Sequence, residues 1–414
     1  MKTIKLGIFG LGRGGSFFKS VAAAGGTVCA VCERDTERVK DAVSEMPADM
    51  ASAVTVYDDF DKFLDHDMDA VLLANCFHEH APFAIKCLER GIHVLSECIS
   101  NATMAEGVAL VRAAEKSDAI YMLAENYPYM KFNMDMKRVY EGGTLGKFLY
   151  GEGEYNHPFD MDNVKEHRGL RPYPGHWRNY LPRSYYITHS LAPLMYVTGA
   201  TPVRVTAMPV FAPFDEYAHV GSAVGDRAAI VTTLNDDDSV FKVTGCAAFG
   251  AHSNSYRICG TNGQIENRRG FKNEMVLRYN KWQVPEGMAE VNTYIADHPE
   301  GLREAAEAAG HGGGDFIEIN EFFNCIREGR RPTFDVYFAT ACASVAILSH
   351  RSLMQKGVPY DIPDLRREEE RKKYENDTLC PIPHAGREPD FPCCSHPDYK
   401  PTDEQYQAYL DMLK

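Results

Sequence analysis

No apolar run in this chain of 414 residues reaches the ~18 residues that a membrane-spanning helix needs, so no membrane partner is expected. Basic residues are in deficit. With 44 Lys and Arg against 58 Asp and Glu, the formal net charge is −14 at pH 7. That balance argues against a nucleic-acid partner, which needs a concentrated basic face to displace counterions. Internal repeats and low-complexity tracts are absent. Met1 to Gly15 has no small-residue cleavage site behind its apolar stretch, which points to a cytoplasmic protein. Cys380, His384, Cys393, Cys394 and His396 lack the paired C-x-x-C spacing of a structural zinc site, so no metal is expected. Other cysteines (Cys29, Cys32, Cys76, Cys87, Cys246, Cys342) sit in apolar stretches, as small buried hydrophobes of a reducing compartment do.

What is present is an ordinary globular composition, 44% hydrophobic and 25% charged, with enough length for two or three domains. From Lys2 to about Ala124, short β-branched runs alternate with helical stretches, the rhythm of parallel βαβ units. Strands are expected at Ile4–Phe9, Val28–Cys32, Val54–Tyr57, Ala70–Ala74, His93–Leu95 and Ile120–Leu123, with helices at Ser16–Ala24 and Pro82–Arg90. Beyond Glu125 the rhythm changes. A helix near Met130–Tyr140 leads into longer alternating runs at Lys147–Tyr155, Val203–Pro209, Ala228–Leu234, Val240–Ala248, Ser255–Gly260 and Glu274–Tyr279, which read as antiparallel strands. Helices at Asp315–Arg327 and Tyr337–Lys356 follow. The expected fold class is therefore α/β: a doubly wound Rossmann domain (1–125), an α+β domain with a large, mostly antiparallel open sheet (126–360), and an extended C-terminal arm (361–414).

Gly10-Leu11-Gly12-Arg13-Gly14-Gly15 satisfies G-x-G-x-x-G between a strand and a helix, the context in which this motif binds a dinucleotide pyrophosphate. Glu33, at the end of the second strand, stands where a carboxylate accepts from ribose hydroxyls and repels a 2′-phosphate, favouring NAD; Arg34 beside it tempers that preference. With these residues the first third of the chain resembles the Gfo/Idh/MocA family of sugar-handling, nicotinamide-dependent proteins. Asn75-Cys76-Phe77-His78-Glu79-His80 resembles its nicotinamide-side loop, and Gly91 to Glu97 the approach to its Glu-Lys-Pro motif. Here the motif reads Glu97-Cys98-Ile99. The resemblance implies NAD as cofactor, contacts from Asn75, Cys76, His78, His80, Glu97, Cys98 and Asn126, and a homo-oligomer. It also implies that the lysine moving the hydroxyl proton in the family's dehydrogenases is missing at Cys98. That thiol is either reactive or a buried space-filler.

Four further segments carry histidines and tyrosines. Tyr155 and His157 lie two apart at the end of a strand and so point to one face; Tyr186-Ile187-Thr188-His189 and His311-Gly312-Gly313-Gly314-Asp315 follow, after the Glu125-Asn126 pair. Together these resemble glycoside hydrolase family 109, a branch of Gfo/Idh/MocA that also lacks the lysine. The resemblance covers residues 1 to about 360, with Gly314 standing where the branch has a larger residue. It implies Tyr155, His157, Tyr186 and His189 as catalytic groups, and Glu125, Trp177, Arg178, His311 and Asp315 as substrate contacts. Trp177 reads equally well as core. Arg168, Arg171, Arg178 and Arg183 crowd one stretch, either as a solvated loop or as a site for a carboxylate or sulfonate.

The implied activity is a redox-neutral glycoside hydrolysis. NAD oxidises a sugar C3 hydroxyl, a Tyr or His base removes the acidified C2 proton, the C1 group is eliminated, water adds, and the hydride returns. Histidine suits proton transfer near neutral pH, whereas tyrosine needs a neighbour to activate it. An NAD-dependent sugar or inositol dehydrogenase, with His189 in place of the lysine, and a non-catalytic NAD-linked sensor are the alternatives.

Overall fold

A computed structural model describes residues 2–158, 176–212, 225–271, 273–383, 388–399 and 402–413. Six parallel strands form the first sheet: β1 (Ile4–Phe9), β2 (Gly26–Cys32), β3 (Thr55–Tyr57), β4 (Ala70–Leu73), β5 (His93–Glu97) and β6 (Tyr121–Ala124). Their order is β3-β2-β1-β4-β5-β6. Ala70–Leu73 is buried throughout, as expected of a strand covered on both faces by crossover helices. The chain reverses its direction of winding between β1 and β4, and that switch point opens a crevice at the carboxyl ends of the strands. Gly10, Asn75, Cys98 and Glu125, which directly follow β1, β4, β5 and β6 or lie a residue further on, are thereby brought to one edge. Further helices at Thr36–Ser44, Ala48–Ala53, Phe60–Leu64 and Met104–Lys116, beyond those expected from sequence, complete the layers.

The second sheet has nine strands in the order β14-β13-β12-β11-β7-β10-β9-β8-β15. They are β7 (Phe148–Asn156), β8 (Pro202–Phe211), β9 (Asp226–Asn235), β10 (Val240–Ala247), β11 (Ser253–Gly260), β12 (Gly263–Asn267), β13 (Glu274–Tyr279), β14 (Val291–Ile295) and β15 (Tyr360–Asp361). The expected antiparallel pairing holds except at the centre, where β10 runs parallel to β7. Between those two strands the chain makes a long excursion through the helix Thr188–Thr198, β8 and β9, so it returns beside β7 in the same direction. The helix Thr188–Thr198 lies against β7 at close range. A Cβ on Gly153 would collide with the Ser190 carbonyl, so this glycine sets how near the helix carrying His189 can come.

Two hydrophobic cores support the layers, and their boundary does not follow the chain. Phe316, Ile317, Ile319, Phe322 and Phe323, from the helix Gly314–Glu328, pack into the Rossmann core although they lie in the second half of the sequence. The segment after Asp361 is only partly an extended arm. It contains helices at Glu368–Tyr374 and Asp403–Leu413, buries Cys380 and Ile382, and is pinned to the body by ion pairs Arg371–Glu115 and Arg351–Asp377. His384 lies outside the described residues.

Candidate functional site

One cleft of about 1470 Å³ runs from the glycine turn into the second domain. Gly10 has φ of 90°, and a Cβ there would lie 2.5 Å from the Ala74 carbonyl oxygen. A Cβ on Gly14 would lie 2.5 Å from Ile8 Cγ2, so Gly14 serves strand–helix packing and does not itself line the cleft. A Cβ on Gly12 would meet only Arg38, at 3.5 Å, leaving the backbone open to a close ligand. The residue types and the open cradle fit a pyrophosphate. Leu11, Gly15 and Arg34 line the same end of the cleft. Glu33 lines it too, with Oε2 accepting from the Leu11 amide at 3.0 Å and Oε1 from the Arg34 amide at 2.9 Å.

Further along lie Asn75, Cys76, His80, Glu97, Cys98 and Asn126. Both polar atoms of the Asn75 side chain and Oδ1 of Asn126 are buried without a hydrogen-bond partner, a pattern that fits a polar group of a bound dinucleotide. His80 Nδ1 bonds the Ile99 carbonyl at 2.9 Å, and burial pushes its pKa down to about 4. Burial pushes the Cys76 thiol up to about 11. His78 is turned away from the cleft, buried near Trp177. Cys98 donates its thiol hydrogen to Glu125 Oε2 at 3.1 Å. Burial, together with the Glu125 and Glu97 charges, holds it well above the ordinary thiol range. It is a neutral donor, not a thiolate nucleophile.

Tyr155, His157, Tyr186 and His189 converge in the same cleft. Ring centroids are 5.0 Å apart for Tyr155–His189 and for Tyr186–His189, 5.9 Å for Tyr155–Tyr186, and 5.7 Å for Tyr155–His157. His189 Nε2 lies 3.3 Å from the Tyr186 hydroxyl and Nδ1 lies 2.7 Å from Glu125 Oε1. Burial would raise the Glu125 pKa, but the His189 contact outweighs it and keeps the carboxyl below its ordinary value. Glu125, expected as a substrate contact, is fully buried, is not among the cleft-lining residues, and spends its carboxylate on His189. Burial raises the pKa of Tyr155 and Tyr186, so both are phenols at neutral pH. His157 is pushed down to about 4, by burial first and then by His252, and is a neutral imidazole.

Local sequence explains the pose of His189. Pro193, four residues on in the same helix, has no N–H to give the His189 carbonyl, and the buried Tyr256 hydroxyl donates to that carbonyl instead, at 2.5 Å. Tyr127, not among the expected site residues, stacks on the His189 ring at 4.0 Å. Its only sequence signal is its place directly after Glu125-Asn126. Phe77, similarly unassigned, stacks on Trp177 at 5.6 Å, so Trp177 both packs and lines the cleft beside Arg178.

Arg13 and Asp315 form a clamp between the glycine turn and the helix Gly314–Glu328. Arg13 donates from Nε to Glu97 at 2.9 Å and from Nη2 to Asp315 at 2.7 Å. Asp315 also accepts from Asn126 Nδ2 at 2.8 Å and contacts His311 Nδ1 at 3.0 Å. Burial opposes ionisation of Asp315, but His311 and Arg13 hold its carboxyl below the ordinary range. The Asp315 side chain is thus engaged within the protein and is not among the cleft-lining groups, whereas His311 is. Gly314 has no room for the larger residue of the branch, because a Cβ would collide with the Asn126 carbonyl. Arg168 and Arg171 lie outside the described residues.

Residues 4–125 match the family model described as the oxidoreductase family, NAD-binding Rossmann fold. Residues 212–372 match the model of the glycosyl hydrolase 109 C-terminal domain. The first of these is the NAD-binding domain of the Gfo/Idh/MocA family. Within that family, glycosyl hydrolase family 109 proteins are similar over most of their length. That of Saccharopolyspora erythraea is 28% identical, over 88% of this chain and 84% of the relative. That of Streptomyces filamentosus is 27% identical, over 89% of this chain and 79% of the relative. Among solved structures, levoglucosan dehydrogenase in complex with NADH and L-sorbose matches with a TM-score of 0.72 at 19% identity, over 88% of this chain and all of that one. An oxidoreductase from Agrobacterium radiobacter in complex with NAD+, L-tartaric acid and magnesium matches with a TM-score of 0.69 at 16% identity, over 87% and 99%. The chain therefore has an NAD-binding Rossmann domain joined to a mostly antiparallel sheet domain, the fold of Gfo/Idh/MocA proteins. No helix among its described residues is long and apolar enough to cross a membrane.

Proposed function

We propose that this protein is an NAD-dependent glycosidase that oxidises a small glycoside, eliminates its aglycone, adds water and restores the hydroxyl without net redox change. The observation that carries the reading is the pair Tyr186–His189 in the same cleft as the glycine turn, backed from behind by buried Glu125, with a neutral thiol at the lysine position. A bound dinucleotide would supply hydride acceptance and return. With the Glu125 carboxylate accepting from Nδ1–H, Nε2 of His189 is the acceptor that faces the Tyr186 hydroxyl. Tyr186 alone is too weak a base at neutral pH. By passing its phenolic proton to Nε2 it can take the C2 proton of the oxidised sugar, and the reverse transfer can protonate the leaving group. The neutral His157, beside Tyr155, suits removal of the C3 hydroxyl proton. Relatives named glycosyl hydrolase family 109 protein support the same reading.

The test is incubation of the holoenzyme with a panel of glycosides in D₂O. Expected are aglycone release, deuterium at C2 and no accumulating NADH. His189→Ala should lower turnover about 10²-fold while leaving NAD bound. Stoichiometric NADH would instead support a sugar dehydrogenase, a reading that the base–carboxylate pair His189–Glu125 also favours, since it can accept a hydroxyl proton without a lysine.

A further inference from the structure

We propose that the glycoside carries an oxyanion, a carboxylate, sulfate or phosphate, bound by Arg183 on the cleft wall near His157. The inference rests on the cleft being a glycoside site and names the substrate class. Arg183 is the first residue of the short turn Arg183–Tyr186, so the turn that carries Tyr186 also carries it. Gly245 fixes its place: a Cβ there would lie 2.5 Å from the Arg183 carbonyl oxygen, so the turn lies directly on β10. Arg183 is only 9% exposed yet lines the cleft.

A charge buried to this degree is normally paired. Arg183 Nε donates to the Asp226 main-chain carbonyl at 3.0 Å, which is a neutral partner. Among the described residues its two Nη groups hold no carboxylate. The nearest acid, Asp226, spends its own oxygens on the Ser395 amide, at 2.9 Å, and the Ser395 hydroxyl, at 2.5 Å. Burial without a matching anion accordingly pulls the Arg183 pKa below its usual value. Arg178, over the Trp177 ring at 4.8 Å, is a second cation of the same half of the cleft, without an ion pair among the described residues. The carboxylates that line the cleft stand elsewhere: Glu33, Asp35, Asp41 and Glu45 at the glycine-turn end, and Glu97 against Arg13. Among the described residues the sugar half therefore presents guanidinium forks and the neutral imidazole of His157, with no cleft-lining acid to neutralise them. A fork of this kind matches two oxygens of a carboxylate or of a tetrahedral sulfur or phosphorus oxyanion.

The experiment compares matched ligands on the wild-type holoenzyme. Calorimetric titration with glucose, glucuronate, glucose 6-sulfate and glucose 6-phosphate reads binding without turnover. At least one anionic sugar should bind about 10-fold or more tightly than glucose, and the strongest of the three arms identifies the anion. Arg183→Gln should reduce that ratio by about the same factor, and Arg183→Lys should retain part of it. Should the variants fail to fold, the wild-type ratio still decides. Equal binding of neutral and anionic sugars, or a preference untouched in a folded Arg183→Gln protein, overturns the proposal. If anionic sugars bind selectively through Arg183 but no glycoside is cleaved, the glycosidase reading fails and this one stands.

Discussion

His189 Nδ1 lies 2.7 Å from Glu125 Oε1, and the carboxylate that holds it is fully buried at the end of the Rossmann sheet. The imidazole of one domain is thus oriented by an acid of the other. Glu125→Gln should lower kcat by about 10- to 100-fold, as loss of an orienting partner does, with KM and NAD occupancy little changed. Steady-state kinetics on the purified variant measure the split. A rise in KM at constant kcat would mean that Glu125 binds substrate after all.

Gly12→Val should abolish dinucleotide binding without unfolding the protein. The added atoms point toward open space near Arg38 and occupy the approach of a pyrophosphate. NAD retained through gel filtration, read by absorbance after denaturation, checks this; normal occupancy would refute the cradle.

Arg13 joins Glu97 and Asp315, and the fully buried, unpartnered carboxyl of Glu318 lies close enough to feel all three. Arg13→Ala should therefore destabilise the protein by about 3 kcal/mol, because it leaves buried carboxylates without their cation. Urea denaturation at pH 7 gives the value. A loss under about 0.5 kcal/mol, the size of a surface pair, would contradict the clamp.

Cys98→Ala should cut turnover by less than about 10-fold, since the thiol only donates a weak hydrogen bond to Glu125. Loss of activity comparable to that of His189→Ala would instead make the thiol a proton carrier.

His80 and His350 are both buried with pKa values pushed down to about 4, by burial first. The unfolded chain protonates its histidines near pH 6.5. Between about 6.5 and 4 the unfolded state binds more protons, so stability is present above that window and is lost as pH falls through it. Each site contributes at most about 3 kcal/mol to that loss. His350→Gln, remote from the cleft, should flatten the pH dependence of the urea midpoint across this range. Parallel curves for variant and wild type would show that the imidazole is not excluded from protonation.

The parts legible in sequence are those set by local chemistry. The glycine spacing before Gly15, the apolar strand Ala70–Leu73 and the Tyr186-x-x-His189 spacing follow from backbone conformations and side-chain periods within a few residues. Strand ends shifted by a residue or two, and the short, partly exposed edge strand Val291–Ile295 escaped notice because alternation is weak where neither face is buried.

What the sequence alone determined was the class of fold, the dinucleotide turn and the roster of imidazoles and phenols, because each rests on neighbours along the chain. Only the tertiary structure decided which of those groups face the cleft. Glu125 and Asp315 read as substrate contacts in one dimension, yet burial requires each carboxylate to find a partner, and His189 and Arg13, 64 and 302 residues away, supply them. Pairing across such separations depends on how two sheets and a returning helix are stacked, which no local pattern encodes.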